Sequence, residues 1–192
     1  LRIKRIFLDL DDVLNEFTMT TLEALGCCAG PYNPEWGWDI VKAANEMHPH
    51  DVFTTETFWN SLNRKHWATL PKSRMCDRLI ARCADFVGRE NVYILSSPTK
   101  DPDCLAGKLE WIQDELPEWI HRQYMIGPQK HLCASPESLL IDDRDKNVQD
   151  FCEAGGKVVL VPRPWNALHT VPNPSLYTLN RLDRFFLTGA GE

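Results

Sequence analysis

Lys4-Arg5-Ile6-Phe7-Leu8-Asp9-Leu10-Asp11-Asp12-Val13-Leu14 is the stretch whose reading decides the fold. Ile6, Phe7 and Leu8 make a short continuous apolar run, the pattern of a strand buried on both faces of a parallel sheet. The run predicts a strand over residues 4–10. It stops abruptly in three acids, Asp9, Asp11 and Asp12.

Four further runs of this kind follow. They predict strands over 91–95 (Val92, Tyr93, Ile94, Leu95), 123–126, 138–141 and 157–161. Helical patterns alternate with them from residue 73 onward. Ser73 is placed as the N-cap of a helix carrying Met75, Cys76, Leu79, Ile80, Cys83 and Phe86, ended by Gly88. Asp101-Pro102 opens a second helix with Leu105, Leu109, Ile112 and Leu116 on one face, stopped by Pro117. Val148, Phe151 and Cys152 mark a short helix closed by Gly155-Gly156, and Leu176, Leu179, Leu182, Phe185 and Phe186 mark the last. Alternating strands and helices imply an α/β fold with a doubly wound parallel sheet. Residues 15–71 break the rhythm and are far too long for a simple βα connection. They are read as an inserted helical cap, with 1–14 and 72–192 as the core domain.

The 192 residues suit one such domain, and 43% hydrophobic with 25% charged residues is ordinary for a globular chain. The net charge of −6 argues against a general nucleic-acid binder. No apolar run approaches the roughly 20 residues of a membrane span. Ile6-Phe7-Leu8 is too short for the apolar region of a secretory signal and runs straight into acids. The seven Cys are scattered, with Cys27-Cys28 the only adjacent pair and no Cys-x-x-Cys. That usage suits small buried hydrophobes in a reducing, cytoplasmic setting.

The chemistry gathers where apolar runs stop. The first ends in Asp9-Leu10-Asp11-Asp12, the second in Ser96-Ser97 and the fourth in Asp142-Asp143, while Lys130 stands 12 residues before Asp142. A parallel sheet brings all of these to one rim, where such sheets bind ligands. Carboxylates crowded there repel: a pair about 4 Å apart costs roughly 4 kcal/mol at an effective dielectric of 20. Hard oxygen donors with few His or Cys nearby favour Mg²⁺. A cation, an ammonium group and hydroxyls together suit a phosphate. A carboxylate can attack its phosphorus, and a second carboxyl can protonate the leaving oxygen. Asp9 and Asp11 alone would read as turn residues, and Lys130 alone as a solvated lysine; their company at successive strand ends favours the site.

The series Phe7-Leu8-Asp9-Leu10-Asp11-Asp12-Val13-Leu14, Ser96, Lys130 and Leu140-Ile141-Asp142-Asp143 resembles the four ordered motifs of the haloacid dehalogenase (HAD) superfamily. The chain is also similar to one branch, the pyrimidine-specific 5′(3′)-deoxyribonucleotidases. Ser96-Ser97-Pro98, Lys108-Leu109-Glu110-Trp111-Ile112 and Ser138-Leu139-Leu140-Ile141-Asp142-Asp143-Arg144 carry that likeness, with Phe17 eight residues after Asp9 and Phe58-Trp59 as an aromatic pair. The resemblance implies a HAD-like Rossmannoid core and a Mg²⁺-dependent phosphomonoesterase acting on a nucleoside monophosphate. It implies Asp9 as nucleophile and Asp11 as acid/base with its carbonyl on Mg²⁺. Ser96, Lys130 and Ser97 hold the phosphate in that reading, and Asp142 completes the metal shell, with Asp143 as ligand or behind it. Phe17, Phe58 and Trp59 are placed against the base. Pro128 departs from the pattern, which often has a basic residue there, and residues 26–51 match nothing alignable.

Other readings stay open from the residues. Phe17, Phe58 and Trp59 serve equally as core for a small cap. The Arg163-Pro164-Trp165-Asn166 stretch lies near the rim and reads first as a rigid loop, second as a gate to the site, and Arg144 either pairs with the acids or faces solvent. A sugar-phosphate phosphatase is one rival. A catalytically silent phosphometabolite- or protein-binding module is another, opposed by the retention of Asp9 and Asp11. Long nucleic acids are disfavoured: residues 15–70 hold Lys42, Arg64 and Lys65 against seven Asp and Glu. A homodimer is kept open as the assembly.

Overall fold

The computed structural model describes residues 2–27, 30–48, 50 and 52–187. Five strands form one sheet: β1 (Arg5–Leu8), β2 (Val92–Ser96), β3 (Tyr124–Ile126), β4 (Ser138–Asp142) and β5 (Lys157–Leu160). Every pairing is parallel, in the order β3-β2-β1-β4-β5. The doubly wound parallel sheet read from the sequence is the sheet observed. β1 is central, and the winding reverses beside it, between β1 and β4. Ligand crevices of such sheets open at that reversal.

The register fixes the rim. Leu8 lies beside Ile94 of β2 and Ile141 of β4, and the Asp9 N–H continues the ladder to the Ile141 carbonyl at 2.9 Å. Asp9, Ser96 and Asp142 therefore leave the sheet at almost one level. Side chains alternate across it. Ile6, Leu8, Ile94, Leu139 and Ile141 join the large core, while Phe7, Leu95, Leu140 and Phe151 make a smaller core on the opposite face.

Between β1 and β2 the chain forms α1 (Phe17–Ala24), α2 (Ile40–Met47), α3 (Thr55–Asn60), α4 (Arg64–Ala68) and α5 (Cys76–Val87). The first four lie within residues 15–71, the stretch that the sequence reads as an inserted cap. An antiparallel bridge of Asn15 with Lys72 closes their base. α5 returns to the sheet with Cys76, Leu79, Ile80 and Cys83 buried, and Gly88, at φ +85°, ends it. Ser73 is not its cap. The Ser73 hydroxyl donates to the Val13 carbonyl at 2.7 Å, tying the helix entrance to the strand exit, and Met75 occupies the cap position.

α6 (Pro102–Glu115) departs from its expected face. Asp101 caps it, as its spacing from Pro102 suggests. Yet Leu105 is exposed, and the buried face is Cys104, Gly107, Lys108, Trp111 and Ile112. The cause is the insertion lying across it. A Cβ on Gly107 would stand 2.5 Å from the Arg64 carbonyl oxygen and 2.5 Å from Trp67 Cβ, so only glycine allows this approach of α6 to α4. Trp111 Nε1 then donates to the Leu70 carbonyl at 2.6 Å. α7 (Asp145–Glu153) carries Phe151 onto the smaller core, and α8 (Pro174–Leu187) packs by Leu179 and Leu182. No helix among the described residues is long and apolar enough to cross a membrane. Cys76, Cys83 and Cys104 are buried and Cys152 is exposed, while Cys28 lies outside the described residues.

Candidate active site

The rim holds the charges. Lys130, buried, places Nζ 2.7 Å from Asp9 Oδ1 and 2.7 Å from Asp142 Oδ2. Asp9 Oδ1 also accepts the Leu10 N–H at 2.8 Å, which fixes its carboxylate plane. Asp142 accepts from the Arg144 N–H at 2.9 Å and from the Asn147 amide at 3.1 Å. Asp143 Oδ2 accepts from Trp165 Nε1 at 2.6 Å, and its carbonyl accepts from Asn166 at 2.7 Å. Carboxylate oxygens of Asp9, Asp142 and Asp143 all lie within 4.8 Å of one another.

Burial governs the protonation of this cluster. It pushes Asp9 up to about 7, against the opposing charge of Lys130 and with the help of Asp142 and Asp11. Burial also raises Asp143 well above the ordinary carboxylate range, reinforced by Asp12, Asp142 and Asp9. Burial alone would lower Lys130, but Asp142 and Asp9 outweigh it and hold the ammonium above its usual range. Among the described residues, Asp9, Asp11, Asp12, Asp142 and Asp143 are met by the ammonium groups of Lys108 and Lys130 and by the Arg163 guanidinium near Asp12, so carboxylates still outnumber cations. Buried hard oxygens with excess negative charge fit a divalent cation such as Mg²⁺.

Asp11 projects from the same turn into a different setting. Lys108 Nζ binds Asp11 Oδ2 and reaches Ser96 Oγ at 2.9 Å and the Ser97 carbonyl at 2.8 Å. Asn15 donates to Asp11 Oδ1 at 3.1 Å. The turn continues through Asp12, whose φ of +58° is the left-handed conformation that Asp tolerates better than most side chains. The Asp12 carboxylate, pushed up to about 6 mainly by burial, accepts from the Thr18 N–H at 3.0 Å and the Thr18 hydroxyl at 2.6 Å. Asp12 thereby fastens α1 and the ring of Phe17 to the strand end. Arg163 clamps the turn from behind, donating to the Asp12 carbonyl at 2.7 Å and pairing with Glu16 at 3.0 Å.

Above the rim opens a cavity of about 950 Å³, lined by Asp9, Asp11, Ser97 and Lys130 below and by aromatic rings of the insertion above. Phe17 stacks on Trp67, with centroids 4.8 Å apart and 8° between planes, and lies parallel to Trp59 at 6.2 Å and 3°. Tyr32, Trp38 and Trp165 line another wall. Most sequence-assigned residues thus converge, with two departures. Phe58 does not line the cavity: it is fully buried, edge-to-face with Trp59 at 5.2 Å and with Phe53 at 5.7 Å, so it supports the wall rather than forming it. Ser96 is buried, with its hydroxyl on Lys108, and Ser97 is the serine that reaches the cavity.

Residues 2–172 match the family model described as "5' nucleotidase, deoxy (Pyrimidine), cytosolic type C protein". The chain belongs to that family. It is accordingly a phosphoric monoester hydrolase of the nucleotidase type. It is similar to the 5'(3')-deoxyribonucleotidases of Bacillus subtilis (strain 168) and Bacillus phage SPbeta. Each is 24% identical over 166 residues, which cover 85% of this chain and 87% of the relative. Among solved structures it resembles a haloacid dehalogenase-like family hydrolase from Xanthomonas campestris, with TM-score 0.52 and 13% identity over 95% of this chain and 96% of that one. A haloacid dehalogenase-like hydrolase from Bacteroides fragilis has TM-score 0.52 and 12% identity over 82% and 86%. Those likenesses establish the HAD-like fold.

Sequence reasoning missed three residues of this nucleotidase site. Lys108 enters the sequence reading only through the Lys-x-x-Trp helix motif; its signal is a lysine on the apolar side of α6. Asp12 was counted as a rim acid, yet it anchors α1. Trp165 lies in the loop after β5, where no periodicity shows that its indole N–H reaches Asp143.

Proposed function

We propose that the protein hydrolyses pyrimidine deoxyribonucleoside monophosphates through an aspartyl-phosphate on Asp9. The observation that carries this reading is one cavity with Asp9, Lys130 and Asp143 at its floor, Asp142 buried behind Lys130, and the parallel Phe17 and Trp59 rings in its wall. Phosphate needs the first and a nucleobase suits the second.

Asp9 Oδ1 is held by Leu10 and Lys130, and its other oxygen is the one assigned to the attack. That oxygen attacks phosphorus, the P–O ester bond breaks, and Asp11 gives its proton to the departing nucleoside oxygen. Asp11, now a carboxylate, takes a proton from water. The water oxygen attacks phosphorus, the P–O bond to Asp9 breaks, and inorganic phosphate leaves. Lys108 holds Asp11 in place through both half-reactions, and Lys130 with Ser97 supplies positive charge and a hydroxyl to the phosphoryl oxygens. Asp9, Asp142 and Asp143, with the Asp11 carbonyl, are the groups that would hold Mg²⁺. When bound, the ion neutralises the charge of the phosphate and of the acids around it. A base against Phe17 and Trp59 would gain roughly 1–3 kcal/mol from stacking, and the inserted helices exclude bulk water from the rim.

The test is phosphate release from dUMP, dTMP, dCMP, dAMP, UMP, 3′-monophosphates and sugar phosphates, with Mg²⁺ and with EDTA. Metal-dependent release concentrated on pyrimidine deoxynucleotides is expected. Release confined to sugar phosphates would refute the substrate assignment, and undiminished release in EDTA would refute the metal.

A further inference from the structure

The loop between α1 and α2 reaches the Asp142–Asp143 corner along two separate routes. On one, the Arg144 guanidinium carbon stands 3.6 Å from the centre of the Trp38 ring, while the Arg144 N–H donates to Asp142 Oδ1 at 2.9 Å. On the other, the Tyr32 ring meets Trp165 edge-on at 5.3 Å and 66°, and Trp165 Nε1 holds Asp143 Oδ2 at 2.6 Å. The loop is itself pinned, since the Tyr32 hydroxyl donates to the Gly37 carbonyl at 2.6 Å and Trp36 packs on Tyr32 at 5.3 Å. Tyr32 and Trp165 are buried, whereas Trp38 is 47% exposed.

The behaviour of Arg144 is unexpected. It directly follows two buried acids, yet among the described residues no carboxylate lies within ion-pair distance of its guanidinium. Its charge rests on an indole instead. A flexible arginine there, freed from that ring, would swing toward Asp142 and Asp143 and compete with any cation for them.

We propose that Trp38 is a positioning residue that keeps Arg144 off the acidic corner, and that loop 30–39 thereby sets the metal affinity of Asp142 and Asp143. This rests on the reading that the corner holds Mg²⁺. Partners of metal ligands commonly alter affinity roughly 10–100-fold when removed. Trp38 acts one contact further out, and its partly exposed cation–π contact is worth about three- to tenfold in affinity.

Isothermal titration calorimetry of Mg²⁺ into the substrate-free protein tests this, using wild type, Trp38→Leu, Trp38→Phe, Arg144→Gln and the Trp38→Leu/Arg144→Gln pair. Melting of each Mg²⁺-free protein checks the fold. Trp38→Leu should weaken Mg²⁺ by about three- to tenfold, and Trp38→Phe, which keeps a ring face, by less. In the Arg144→Gln background Trp38→Leu should change nothing, because the freed charge is gone. Equal affinity in wild type and Trp38→Leu would overturn the proposal. So would the same loss in both backgrounds. No Mg²⁺ binding by the wild type would bring down the metal reading and the brace with it, which separates that failure from failure of the brace alone.

Discussion

At the rim, acids at the ends of strands are buried beside ammonium groups and held by backbone N–H groups, lysines and an indole. In the insertion, aromatic rings stack on one another and hang from α6 through Gly107 and Trp111. The rim is costly to assemble, since every charge there has lost water, and tolerates almost no substitution. The insertion gains by burying rings and tolerates exchange of one apolar group for another. On the proposed function, chemistry belongs to the first region and selection of substrate to the second. Perturbing each separately should therefore damage different kinetic quantities.

The sharpest break comes at Asp9. Asp9→Asn removes the attacking carboxylate but keeps its size, and kcat should fall on the order of 10⁴-fold. Its melting temperature should hold or rise, because one buried acid is gone. Wild-type turnover in this variant would exclude Asp9 as nucleophile. Lys108→Met comes next. It strips Asp11 of its ammonium partner, and kcat should drop about 10²–10³-fold, the range of a mispositioned acid/base group. KM should change far less. A large rise in KM with kcat intact would instead make Lys108 a substrate-binding group.

Gly107→Ala joins the regions, since the added methyl must push α4 away from α6. We expect about 1–3 kcal/mol lost in denaturant unfolding, with KM rising more than kcat falls. Unchanged stability would mean that α4 is not seated as observed. The mildest perturbation is pH in EDTA. Asp9 at about 7 and Asp12 at about 6 both stand above the ordinary carboxylate value of 3.8. At these two sites the folded chain binds more protons than the unfolded one between about pH 4 and 7, so the stability they contribute is full below about pH 4 and is lost as pH rises through 7. Urea unfolding of the chelated protein at several pH values checks the sign. Stability rising across that window would show the acids to be charged and satisfied without a cation.

The same contrast explains what the sequence revealed. Strand ends are visible because an apolar run stops where its acids begin, as at Leu8-Asp9 and Ile141-Asp142, and parallel pairing brings those ends together. The sheet and most of the rim were legible on that basis. Lys108 was hidden because a buried lysine on α6 breaks the apolar pattern that Leu105 and Leu109 suggest. The misplaced cap at Ser73 and the inner position of Phe58 have a similar origin. Each depends on a partner distant in sequence, Val13 for one and Phe53 with Trp59 for the other. Loop 30–39 carries no periodicity at all, so its contacts with Arg144 and Trp165 could be found only in three dimensions.

The most direct test of this division is the ratio of kcat/KM for dUMP to kcat/KM for 2-deoxyribose 5-phosphate, in wild type and Phe17→Ala. The two substrates share a phosphate and a sugar and differ by the base. If the rim does the chemistry and the insertion grips the base, the ratio should fall about tenfold or more in Phe17→Ala, the range of one lost stacking contact, with the sugar phosphate scarcely affected. If both rates fall together and the ratio stands, Phe17 is only part of the scaffold and the assignment of substrate choice to the insertion is wrong.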